Sequence, residues 1–148
     1  MEKDTSIQLP LTPALSYHPL SQGTYLSRFL LNGFEVWLLA VVKADDVEAE
    51  EVGEIGVKAK IQWLITREVG APNFSMRRFV VEEGGEIKRH SHDWEHEIYI
   101  LQGEAVIGIG EKEFKVSGDT AVYIPPNTPH WYRNTGRKPL IFICVIPH

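Results

Sequence analysis

From Val57 onward the chain alternates with a period of two and is broken every few residues by glycine or proline. This pairing of features constrains the fold more than any other, because a residue repeat of two puts alternate side chains on opposite faces of a strand. Val57, Ala59, Ile61, Trp63 and Ile65 alternate with Lys58, Lys60, Gln62 and Thr66, and Gly70-Ala71-Pro72-Asn73 then forms a turn. Phe74 to Val81 reads as a strand that Gly84-Gly85 breaks, followed by Ile87 to His92 and His96 to Leu101. Glu104 to Ile109 and Lys112 to Val116 form a hairpin around Gly110-Glu111. Ala121 to Ile124, His130 to Arg133 and Leu140 to Ile146 complete the series. Short strands at regular spacing predict an all-β sandwich or closed barrel.

The first 42 residues differ in character. Residues 1 to about 23 read as an extended arm punctuated by Pro10, Pro13 and Pro19. Thr24 to Leu31 and Phe34 to Val42 flank Asn32-Gly33, a pair that tolerates positive φ and signals a hairpin, with a helix across the stretch as the competing reading. Asp45 to Glu54 is acidic and reads as a solvated connection. The expected organisation is an N-terminal arm and hairpin over 1–42 and a barrel over 43–148.

Composition narrows the class of function. At 148 residues the chain suits one domain with a true core. The net charge of -5 and the absence of a Lys/Arg block argue against nucleic acid and anionic membranes as partners. Cys144 is the one cysteine, so no internal disulfide forms. Met1 to Gln8 lacks the basic-then-apolar order of a signal peptide, and the longest apolar run, Val36 to Val42, is too short to cross a bilayer. The expectation is a cytoplasmic protein. The apolar arm and hairpin, with strand edges to cover, predict a homodimer.

Three of the six histidines fall within seven residues, as His90-Ser91-His92-Asp93-Trp94-Glu95-His96. On a strand His90 and His92 share a face; on a helix they would lie about 200° apart. His96 keeps the same even parity, which turns Glu97 outward. His130 arrives from a second segment behind Pro125-Pro126-Asn127-Thr128-Pro129, where prolines stiffen the approach. Clustered neutral imidazoles are ligands for Mn, Fe, Co, Ni, Cu or Zn. His90, His92, His96 and His130 are therefore the expected ligands of one divalent ion per chain, and His18 and His148 are expected to stand apart from it.

These residues also carry a family resemblance. Gly84, five residues and His90-x-His92 resemble the opening of the first cupin motif, which closes with a ligand, six residues and a glycine, here His96 and Gly103. Gly118, Pro125, Asn127, His130 and Asn134 resemble the second motif. His96 stands where that first motif has Glu. The stretch from Ala71 to Gly103 is similar to small bacterial and archaeal cupins that bind manganese with four histidines. Asp93 stands where such relatives have Pro, six residues rather than five separate Gly118 from Pro125, and Asn127 replaces a glycine, which Asn can do because it visits left-handed backbone.

The resemblance, over roughly residues 43 to 148, implies a jelly-roll barrel, a divalent ion with manganese first, and a pocket faced by Arg77, Phe142, Cys144 and Ile146. An inward guanidinium is costly without an anion, which makes Arg77 a candidate substrate anchor. Four neutral ligands leave the ion its full charge, suited to polarising a small organic substrate. The expected function is a mononuclear metalloenzyme, with dioxygen-dependent oxidation or cleavage first. The alternatives are a metal-dependent isomerase or lyase, or a non-enzymatic small-molecule-binding module.

Overall fold

The computed structural model describes the backbone of residues 16–21, 24–31 and 34–148 and the side chains of residues 41–148. Its strands are β1 (Ser16–Ser21), β2 (Thr24–Leu31), β3 (Phe34–Val41), β4 (Glu50–Glu51), β5 (Gly56–Ile65) and β6 (Phe74–His90), then β7 (His96–Gln102), β8 (Glu104–Ile109), β9 (Lys112–Ser117), β10 (Thr120–Ile124), β11 (His130–Asn134) and β12 (Leu140–Pro147). Among the described residues the helical content is three 3-10 turns, Ala44–Asp46, Gly53–Ile55 and Arg67–Val69. β1, β2 and β3 form one antiparallel sheet; in the stretch read as an extended arm, Ser16–Ser21 pairs as a strand. The Asn32-Gly33 turn and the first fifteen residues lie outside the described residues.

The remaining strands make the nearly closed all-β barrel that the period of two predicts. Their order is β10-β7-β12-β6-β11-β8-β9, with β5 against β6 and β4 against β5, all antiparallel. Parity selects the inner face. His96, Ile98 and Ile100 of β7 are buried, as are Leu140, Phe142 and Cys144 of β12, and His130, Tyr132 and Asn134 of β11. Burying each large apolar side chain contributes roughly 1.5–3 kcal/mol. Asn134, a polar residue in this core, is satisfied by donating to the carbonyls of Val81 and Lys138, both at 2.9 Å.

One expected break does not occur. Gly84-Gly85 does not end a strand; β6 runs through it for 17 residues, with Gly84 at φ 70°. The glycines let the strand bend while its ladder continues. Residues before the bend pair with β12 and those after it with β11, while β5 pairs with residues on both sides. One strand thus carries Arg77 and Phe79 on one side of the barrel and His90 on another. The inward parity also switches, from Arg77, Phe79, Val81 and Ile87 to His90, at an irregularity of the β6–β11 register between His130 and Tyr132.

Gly103 turns the chain from β7 into β8 at φ 92°, and a Cβ there would lie 2.7 Å from the Pro139 carbonyl oxygen and 2.8 Å from Leu140 Cα. Both backbone strain and overlap oppose a side chain. Gly103→Ala is expected to lower stability by about 2 kcal/mol or more, read by urea denaturation. A change below a few tenths of a kcal/mol would show that this turn relaxes freely.

Candidate metal centre

Four imidazoles meet at one end of the barrel. His90 ends β6 and lies opposite His130, the first residue of β11, with ring centroids 4.3 Å apart. His92 lies beyond the end of β6, so it reaches the cluster from a turn and not, as parity suggested, from a shared strand face. Two contacts hold that turn. The Trp94 indole stacks on the His92 ring at 4.0 Å and 4°, and Asn127 N–H donates to the His92 carbonyl at 2.7 Å. Asn127 does so at φ 60°, the left-handed conformation expected of it.

The nitrogen partners decide which atoms are free. Nδ1 of His90 faces the Lys88 carbonyl at 2.8 Å, Nδ1 of His92 the Trp94 carbonyl at 2.9 Å, and Nδ1 of His130 the Thr128 carbonyl at 2.8 Å. A carbonyl only accepts, so each Nδ1 carries the proton and each Nε2 keeps a lone pair. The His130 Nε2 is buried with no hydrogen-bond partner. An orphaned lone pair beside two others is what a cation site requires. His90, His92 and His130 each offer a ligand nitrogen, and these atoms lie within 4.8 Å of one another. The donor set fits a transition-metal ion.

His96 is inside the cluster but differently engaged. Its Nε2 lies 2.6 Å from Nε2 of His92, and its Nδ1 lies 2.9 Å from the Cys144 sulfur and 3.2 Å from Nη2 of Arg77. Where the other three rings meet a carbonyl, His96 meets a thiol. With its Nδ1 proton on the sulfur, His96 presents Nε2 as the others do; with Nδ1 accepting from Arg77, it does not. The neighbouring Glu97 is exposed and lies on the opposite face of β7.

Burial opposes protonation of His92, His96 and His130. It is the largest cause holding His96 down to about 2, with the Arg77 guanidinium next. Burial also holds His130 down to about 4 despite the opposing Thr128 hydrogen bond, and lowers His92. The Cys144 thiol is pushed up by burial, against the pull of Arg77.

The cluster opens into a cavity of about 330 Å³. Arg77, Phe142 and Cys144 line it as expected from the sequence; Ile146 does not, and packs partly buried against the core instead. Phe79, Phe142 and Tyr132 form a stack along one wall, with centroid spacings of 4.9 and 5.2 Å. The Trp131 indole lies against Gly108, with Arg133 over it at 4.9 Å. The segment read as a solvated connection also contributes: Glu50, Glu51 and Val52 line the cavity, as does Ile55 just after it. It is tied down by the buried Gln62, whose amide donates to the Ala44 and Val47 carbonyls at 2.7 Å each. Val52, apolar within the acidic run, and Ile55 at its end are the available signal. Trp63 and Phe79 were also missed, although Phe79 shares the parity of Arg77. His148 stands apart, with Nδ1 beside the Ser75 hydroxyl and Nε2 beside the Ala71 carbonyl; the His18 side chain lies outside the described residues.

Comparison with known proteins places this geometry in context. Residues 77–146 match the family model described as a cupin domain. The chain is 34% identical over 87 residues to the uncharacterized protein MJ1618 of Methanocaldococcus jannaschii, covering 54% of this chain and 70% of that one. It is similar to the polyketide cyclase RemF of Streptomyces resistomycificus, with a TM-score of 0.70 and 30% identity over 74% of this chain and 80% of that one. It is also similar to a predicted oxalate decarboxylase of Thermotoga maritima, with a TM-score of 0.65 and 25% identity over 72% of this chain and 97% of that one.

Proposed function

The chain belongs to the cupin superfamily, and from that premise we propose a metal-dependent enzyme that oxidises or cleaves a small organic molecule with dioxygen. The observation that carries this reading is the buried, partnerless Nε2 of His130, clustered with a ligand nitrogen of His90 and one of His92 at a cavity of substrate size. Bound there, the ion would supply a positive charge that polarises a substrate oxygen or engages dioxygen. His90, His92 and His130, with His96 as the fourth ligand, would hold it. Manganese is our first choice of metal, on the four-histidine resemblance.

The chain's own residues prepare the site. The Lys88, Trp94 and Thr128 carbonyls hold three imidazoles in one tautomer. The Phe79–Phe142–Tyr132 stack offers a flat, water-excluding wall. The Tyr132 phenol, fully buried and raised well above its usual range by that burial, stays protonated.

A second reading, metal-assisted proton transfer without dioxygen, is favoured by the similarity to RemF, named as a polyketide cyclase. A non-enzymatic binding module is the third. Metal analysis of protein purified without a chelating tag, followed by turnover of phenolic and enediol compounds in air and under argon, separates them. Oxygen uptake matched to substrate loss is the expected result. Equal turnover under argon would replace it with the second reading, and tight binding without turnover with the third.

A further inference from the structure

Arg77 is the one cation in the barrel interior among the described residues, with only 8% of its surface exposed. No carboxylate pairs with it there: the ion pairs of the described residues join Lys60 to Glu51, Arg78 to Asp45, Arg89 to Glu111 and Arg133 to Glu86. Its Nη2 is 3.0 Å from the Cys144 sulfur and 3.2 Å from Nδ1 of His96, and its Nε is buried without an acceptor. Thiol and imidazole are neutral acceptors at best, so they do not cancel the charge. Burying an unpaired guanidinium costs several kcal/mol.

Two aromatic rings fix where that charge points. The guanidinium carbon lies 5.4 Å from the centre of the Trp63 ring and 5.2 Å from that of Phe79. Such contacts favour the cation and hold its plane still, but they supply no countercharge. The side chain lines the same cavity as His90, His92 and His96. The carboxylates bordering that cavity, Glu50 and Glu51, belong to exposed residues, and Glu51 is engaged 3.8 Å from Lys60. The charge gradient therefore runs from an acidic rim to a lone cation in the interior.

We propose that the cavity is a binding site for a flat organic carboxylate, whose acid group pairs with Arg77 while its unsaturated body lies along the Phe79–Phe142–Tyr132 wall beside the histidines. The proposal names the substrate class for the reading above and rests on the same cavity. The acid group supplies the countercharge and the acceptors that the barrel withholds from Arg77. Once the anion pairs with the guanidinium in this low-dielectric setting, the interaction is charge-assisted and two-pronged. The pocket then discriminates by charge at one end and by flatness along its length.

The test uses benzoate and its neutral isostere benzamide, titrated into chelator-treated protein and followed by NMR chemical shifts and Trp fluorescence. Without an ion, no ligand–metal bond contributes to any preference. Benzoate should bind at least tenfold more tightly than benzamide. In Arg77→Met the preference should vanish while benzamide binding persists, and in Arg77→Lys a reduced preference should remain. Arg77→Met should also melt no lower than the parent, since it removes an uncompensated buried charge. Equal affinities in the parent protein would overturn the proposal whatever the variants do, as would a preference that survives Arg77→Met. Neither result touches the turnover assay, and absence of turnover leaves this binding result standing.

Discussion

Replacing His130 by Gln is expected to abolish tight binding of a divalent ion while leaving the barrel folded. His130 is 1% exposed, its Nδ1 is held by the Thr128 carbonyl, and its Nε2 has no other partner. Removing that nitrogen takes away a ligand that the fold has already paid to orient. Loss of an orienting partner alone typically costs 10–100-fold in affinity, so loss of the ligand itself should cost at least about 100-fold. Calorimetric titration with Mn²⁺ and Zn²⁺ reads it. The companion pair is His96→Gln and Glu97→Gln. Glu97 faces solvent on the outer side of β7, so its variant should bind like the parent. His96→Gln should weaken binding or change the preferred metal, because its Nε2 meets that of His92 and its ring lies against His130. Unchanged affinity in His130→Gln, or a loss confined to Glu97→Gln, would remove the histidine assignment.

The second large effect is a loss of stability in acid by the metal-free protein. Burial lowers the folded values of His96 to about 2 and His130 to about 4, against 6.5 when unfolded. The unfolded chain therefore binds protons that the folded chain refuses, and stability falls as the pH drops below about 6.5. The loss continues to about 4 for His130 and further for His96. Each histidine contributes about 1.4 kcal/mol per pH unit, so by pH 4.5 the pair removes roughly 5 kcal/mol. That is a large share of the 5–15 kcal/mol typical of a domain. Urea midpoints from pH 7.5 to 4.5 should fall steeply, and a His96→Gln/His130→Gln double variant should flatten the slope. Parallel slopes in parent and double variant would mean that other groups govern the acid response. A bound ion should add stability at neutral pH that disappears in acid, because protons compete for the same nitrogens.

Much of the barrel was legible in the sequence because its signals are local. β8 and β9 follow from alternation around Gly110-Glu111, and β10, β11 and β12 fall within a residue of the expected bounds. A period of two and a turn residue act over a few positions, whatever the rest of the chain does. Gly84-Gly85 was misread for the same reason. Locally the pair resembles a stop, yet β11, β12 and β5 all pair with the strand around it and keep it continuous through the bend. Gln62 was expected outside because its strand alternates, and it is buried because the carbonyls of Ala44 and Val47, 18 and 15 residues earlier, need its donors.

By itself the sequence determined a period-two all-β chain, the inward parity of His96 against Glu97, and four histidines in two segments that a barrel could join. Tertiary structure alone decided the environment of each nitrogen and charge. Arg77 lies beside Cys144 because β6 pairs with β12 in one register, and His96 reaches both because β7 pairs with the other edge of β12. Arg77 and Cys144 stand 67 positions apart in the chain, and nothing in the sequence between them carries a trace of that contact. The carbonyls that orient the histidines, the acidic segment along the cavity and the guanidinium without a carboxylate are likewise properties of neighbours brought together by strand order. Side-chain type and spacing are encoded position by position, whereas pKa, hydrogen-bond partner and unmet charge depend on distances that exist only once the sheet has closed.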